Sequence, residues 1–117
     1  MPYNDELAWQ IRKVLARYPA VTEMKMFGGL TFLVNGHMCC GVLKDNLVVR
    51  LSPDDYEKAL AEPHARPMDF TGRPLRGFVY VGPKGYVKEE QLVRWLQMAS
   101  TFVSSLPSQK KGRRKER

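Results

Sequence analysis

An Asn35-Gly36 pair sits inside the longest mostly apolar stretch of the chain, Leu30 to Leu43. Both central residues of a type I′ turn need a positive φ, which asparagine and glycine adopt most readily, so the pair predicts a two-residue β-hairpin with Val34 opposite His37. That commits the middle of the chain to an antiparallel sheet. Asp45-Asn46 predicts a second tight turn, with Lys44 opposite Leu47, so three strands are expected between Thr22 and Leu51. On this register one face carries Thr31, Leu33, Met38, Cys40, Val42, Leu47, Val49 and Leu51. The other carries Leu30, Phe32, Val34, His37, Cys39, Gly41, Leu43, Val48 and Arg50. A sheet with one solvated face alternates sharply between apolar and polar, and this one does not. The first face is read as the helix-covered core. The second is too apolar to leave bare in a small monomer. A homodimer follows as an expectation, with Phe32, Val34, Leu43 and Val48 as the candidate interface.

Helices flank the strands. Asn4 is a good N-cap, and Asp5 and Glu6 suit the positive end of a helix dipole. Leu7, Ile11, Val14, Leu15 and Tyr18 then form one apolar stripe, closed by Pro19. Ser52-Pro53-Asp54-Asp55 announces a second helix, which ends before Pro63. Pro63, Pro67, Gly72 and Pro74 predict turns around a short extended piece near Met68 to Phe70. Gly77 to Val81 reads as a last strand. A third helix is expected from about Val87 to Ser105, with Leu92, Trp95, Leu96, Ala99, Phe102 and Val103 forming a stripe wide enough to lie across a sheet. The fold class is therefore α+β: a two-layer sandwich of helices on an antiparallel sheet, in the order α-β-β-β-α-β-β-α.

A chain of 117 residues suffices for one domain and one core. The domain is expected over residues 1–106, followed by a disordered basic tail over 107–117. Five of the seven net positive charges lie after Leu106, so the folded body is nearly neutral. No stretch is long enough to span a bilayer and no secretory signal opens the chain, so a cytoplasmic location is the default expectation. The adjacent Cys39 and Cys40 cannot close an ordinary structural loop, and on a regular strand their side chains would point to opposite faces.

No catalytic constellation is found. His37, His64, Cys39 and Cys40 lack the closely spaced pairs of a structural zinc site, and both histidines are read as solvated loop or turn residues. His37 and Cys39 share a strand face, but no orienting group or oxyanion hole accompanies them. Gly28-Gly29 precedes a strand, whereas a phosphate-cradling loop opens a helix. The expectation is no enzyme, no metal and no cofactor. For nucleic acid, Lys110, Lys111, Arg113, Arg114 and Lys115 form a compact cationic segment that would bind polyanions in a salt-dependent way. Arg66, Arg73 and Arg76, interleaved with Phe70, Phe78 and Tyr80, are a second candidate contact.

Five segments bear a family resemblance: Lys25-Met26-Phe27-Gly28-Gly29, Val34-Asn35-Gly36-His37-Met38, the run from Gly41 to Leu51, the run from Pro67 to Pro74, and Gly77-Phe78-Val79-Tyr80-Val81 with the closing Trp95 helix. In this order they resemble the N-terminal domain of the TfoX/Sxy family of bacterial competence regulators, over about Leu7 to Leu106. The resemblance implies a helix, three strands, a helix, two strands and a helix. It also implies a non-enzymatic role as a coactivator working with another transcription regulator. The chain reads as the N-terminal domain alone, without the second domain of the full-length regulators. The leading expectation is a regulatory interaction protein, homodimeric, with an unidentified protein partner and no membrane association. The alternative is nonspecific nucleic-acid binding through the basic tail.

Overall fold

A computed structural model describes residues 3–18, 20–26, 28–69 and 74–106. Helix α1 (Asp5–Leu15) begins where the Asn4 side chain accepts the Leu7 N–H at 3.0 Å. Four strands follow: β1 (Val21–Met26), β2 (Gly29–Val34), β3 (His37–Leu43) and β4 (Asn46–Arg50). Helix α2 (Pro53–Leu60) is capped by Ser52, whose hydroxyl accepts from Asp55 N–H at 3.2 Å. The chain then forms β5 (Ala65–Asp69), β6 (Pro74–Val81), a short 3-10 turn (Pro83–Gly85) and α3 (Glu89–Ser104). Gln91 accepts from the Lys88 N–H at 2.8 Å and fixes the entry into α3.

The six strands form one antiparallel sheet in the order β1-β2-β3-β4-β6-β5. The α+β class holds, with one strand more than expected. β1 does not stand out as a separate strand in the sequence, because Val-Thr-Glu-Met-Lys-Met mixes charges into an edge position. β5 starts earlier than the extended piece near Met68, and β6 starts before Gly77. The expected Phe70 end of that piece lies outside the described residues.

Asn35 (φ 54°) and Gly36 (φ 83°) make the expected positive-φ turn, and Val34 pairs with His37. The second turn slips by one residue. Lys44 (φ 55°) and Asp45 occupy it, and Leu43 pairs with Asn46. Contacts outside the hairpin hold it there. Asn4 N–H donates to the Lys44 carbonyl at 2.8 Å, and the Tyr86 hydroxyl donates to the Asp45 carbonyl. Because the slip moves the paired position by two residues, it leaves every side chain on its own face.

A β-bulge does not. Leu33 pairs with Met38 but Phe32 pairs with Cys40, so Cys39 is an extra residue in β3. One inserted residue exchanges the faces of β2 relative to the rest of the sheet. Leu30, Phe32 and Val34 therefore join Val42, Leu47, Val49 and Leu51 in the core, while Thr31, Leu33 and Met38 lie on the opposite face and are only half-buried. The bulge also turns both Cys39 and Cys40 inward, against the expectation of opposite faces.

All three helices contribute to this one core. Trp95 and Leu96 of α3, Leu7 and Ile11 of α1, and Tyr56 and Ala59 of α2 belong to it. The buried Trp95 ring satisfies its indole N–H on the Gly85 carbonyl at 3.3 Å. The Tyr18 hydroxyl lies 2.9 Å from Ser100 Oγ and ties the end of α1 to α3. The exchange of faces makes a direct prediction. Phe32→Ala should cost about 3–5 kcal/mol of unfolding free energy, as for deletion of a buried ring. Its neighbour Leu33→Ala should cost about 1 kcal/mol, as for a half-exposed side chain. Urea titrations of the two variants measure both values, and similar losses would contradict the bulged register.

Candidate interaction surface on the open face of the sheet

The face away from the helices is built by one row of directly paired residues that crosses all six strands. Met24, Thr31, Gly41, Val48, Tyr80 and Arg66 are successive cross-strand partners along it. A second pair, Arg50 and Phe78, lies beside it. The row is apolar at its centre because the sequence there supplies strand-forming valine, methionine and aromatic residues on alternate positions. Gly41 sits in the middle with no side chain. A Cβ at that position would stand 2.6 Å from the Leu30 carbonyl oxygen, so the two strands approach too closely there for any other residue.

The missing side chain leaves a dimple of about 30 Å³, lined by Thr31, Met38, Leu43, Val48, Met68 and Phe78. That is room for about one methyl- or water-sized group. It can seat one apolar knob of a partner surface. Met68, at the irregularity between Pro67 and Asp69, and Val48 are themselves buried, and Met38, Leu43 and Phe78 form the half-exposed rim.

Two arginines lie over the aromatics of this face. The Arg66 guanidinium is 5.1 Å from the Tyr80 ring centre. That of Arg50 is 5.8 Å from Phe78 and 5.7 Å from Phe102 of α3, and it donates to the Met38 carbonyl at 3.4 Å. Each is within cation–π range.

The expected site residues divide accordingly. Leu43 and Val48 lie on the open face. Phe32 and Val34 do not: both are buried under the helices, and the bulge at Cys39 is the reason. Arg66 stands on the open face beside Tyr80. Arg73, Lys110, Lys111, Arg113, Arg114 and Lys115 lie outside the described residues, as does the side chain of Arg76, whose backbone belongs to β6. Gly41 and Arg50 lie with Leu43 and Val48, on the face where the strand register puts them, but neither stands out in the sequence as a site residue. Met38 is expected on the opposite face and joins the surface because of the bulge at Cys39.

His37 is buried rather than solvated, because the bulged register turns it toward the core. His64 is exposed, as expected of its proline-rich loop. Hydrogen bonding to Cys39, with burial, pushes the Cys40 thiol well above its usual range, so the reactive thiolate is disfavoured at neutral pH. No group of three or more metal-ligating side chains occurs among the described residues. No described helix is long and apolar enough to cross a membrane.

A family model, the TfoX N-terminal domain, matches residues 13–103. This chain belongs to that family. The match spans β1 through most of α3 and so includes the whole open face. Comparison with curated proteins finds no match, and neither does comparison with solved structures. The buried thiols of this TfoX-type domain give a simple check. Cys39 and Cys40 should react with a thiol-specific reagent only on unfolding, with both modified in denaturant and neither in native buffer. Fast native labelling of either would show that the core is open at β3.

Proposed function

We propose that the protein is a non-enzymatic regulatory module that acts by docking a partner protein on the open face of its sheet. The carrying observation is the Gly41 dimple with its half-exposed rim of Met38, Leu43 and Phe78, which none of the helices' core residues covers. A contiguous apolar patch rimmed by polar groups is the ordinary signature of a protein contact. Membership of the TfoX N-terminal domain family supports the same reading, since the resemblance of the sequence to bacterial competence regulators implies a coactivator working with another transcription regulator. A transcription regulator is accordingly the partner class, and the cytoplasm is the compartment in which the two would meet.

Placing a photo-crosslinking side chain at Leu43 and, as control, at Glu57 on exposed α2 tests this in living cells. The same protein should be captured from Leu43 and not from Glu57, and Met38→Glu, at a half-exposed position of the rim, should abolish capture while leaving the thermal melt of the domain close to that of the parent. Equal capture from both positions would remove the open face from consideration.

A second reading rests on a separate observation, the Arg66–Tyr80 and Arg50–Phe78 stacks on the same face. Aromatic and arginine side chains on a sheet can stack single-stranded bases. Fluorescence anisotropy with single-stranded DNA and RNA over a salt series discriminates. Stacking on the sheet predicts binding that survives deletion of residues 107–117 and falls with Tyr80→Ala. Binding that disappears with the basic tail and with modest salt is counterion release alone.

A further inference from the structure

The two edges of the sheet differ. β5 carries Pro67, which cannot donate to a ladder, and its register shifts between Pro67 and Asp69. β1 contains no proline, and its register with β2 is unbroken over all six residues. Thr22, Glu23, Met24 and Lys25 are all exposed, Met24 by 48%. The bond from Asn35 N–H to the Ala20 carbonyl, 2.9 Å, fixes the alternation along the strand. Thr22 and Met24 turn their backbone groups toward β2, so the N–H and C=O of Val21, Glu23 and Lys25 point outward. Regular unpaired edges of this kind are templates for another strand.

We infer that β1 pairs antiparallel with β1 of a second copy of this chain, about a two-fold axis at Met24, to give a continuous sheet of twice the width. The charges select that occupant and that register. Glu23 and Lys25 lie on the same side of the strand, two residues apart. With the axis at Met24, each Glu23 stands directly opposite the second copy's Lys25, and both residues have outward backbone groups, so the two positions form a hydrogen-bonded pair. Moving the axis to Glu23 or to Lys25 sets like charges face to face. Moving it to Thr22 leaves both charges without an opposite partner. Only the Met24 register satisfies both the alternation and the charges. Arg12 of α1 donates to both Glu23 oxygens, at 2.5 and 2.9 Å, and keeps its carboxyl below the usual range, so the acid is ionised and the second copy's Lys25 would add to an existing ion pair.

On the axis the two Met24 side chains oppose each other as a non-hydrogen-bonded pair, the closer of the two geometries. This pairing is independent of the Gly41 dimple and of any partner docked there.

Sedimentation velocity of the full chain over a concentration series should show a species of twice the 13.4 kDa monomer mass. Lys25→Glu should weaken that dimer about tenfold, because it places two pairs of carboxylates in opposition. Glu23→Lys combined with Lys25→Glu should restore it. Met24→Cys should form an intermolecular disulfide under mild oxidation, since directly opposed residues of such a pair have the required Cβ separation. That variant is conservative at an exposed site and does not depend on the Arg12–Glu23 pair, which the charge swap breaks. A chain that stays monomeric throughout overturns the inference. So does a dimer that tolerates Lys25→Glu and fails to cross-link at position 24; loss of that dimer in Met38→Glu, at a half-exposed position, would assign it to the open face instead.

Discussion

The extra residue at Cys39 is the constraint on which the arrangement of this domain depends. Side chains on a strand alternate with a period of two, so one inserted residue decides which half of β2 meets the helices. With the bulge, Leu30, Phe32 and Val34 are buried against α1 and α3, each contributing about 1.5–3 kcal/mol of burial. Without it, Thr31 and Leu33 would face the helices and the phenylalanine would lie in water. The cost is one residue of β3 left outside the ladder, about 1 kcal/mol for a backbone hydrogen bond not made. Burial of three apolar side chains outweighs that loss. The same residue sends both thiols inward, where Cys40 is held protonated by its neighbour and by burial.

The bulge also decides which parts of the fold are legible in the amino-acid sequence. Local chemistry is readable wherever a residue type has one dominant use: Asn4 and Ser52 as caps, Asn35-Gly36 as a turn, and the Trp95 stripe as a buried helix. The bulge itself is not, because the run from Leu30 to Leu43 is apolar on both parities and gives no contrast by which a slip could be detected. The position of the second turn is set from outside the hairpin, by Asn4 and Tyr86, and no reading of Lys44-Asp45-Asn46 alone contains those contacts. The interface residues inherit these limits. Leu43 and Val48, which lie beyond the bulge, fall on the face expected of them, whereas Phe32 and Val34, before it, do not.

Family membership fixes the scaffold more firmly than it fixes the task, because function resides in the surface a scaffold presents. Here the scaffold leaves surfaces of different kinds. The helix side is spent on the core. The β5 edge is blunted by Pro67 and an irregular register. The open face and the β1 edge are left free of both constraints, and they meet at Met24, which belongs to each. A second copy joined at β1 would therefore extend the open face rather than cover it, so that self-association and partner docking are compatible on one molecule.

The arginines on the open face bear on what kind of contact it can make. Arg50 and Arg66 cover Phe78 and Tyr80, each worth about 0.5–1 kcal/mol at such an exposed site. That is enough to keep the aromatics from presenting a bare apolar surface, and too little to prevent their displacement. A docking partner must either lift the guanidinium groups off the rings or stack on their outer faces. In both cases part of the contact energy replaces interactions that the free domain already has. Affinity is reduced by that amount and exchange is made easier. Such a surface suits a regulator that must release its partner better than it suits a permanent subunit interface, whose apolar core is larger and lacks charges of this kind.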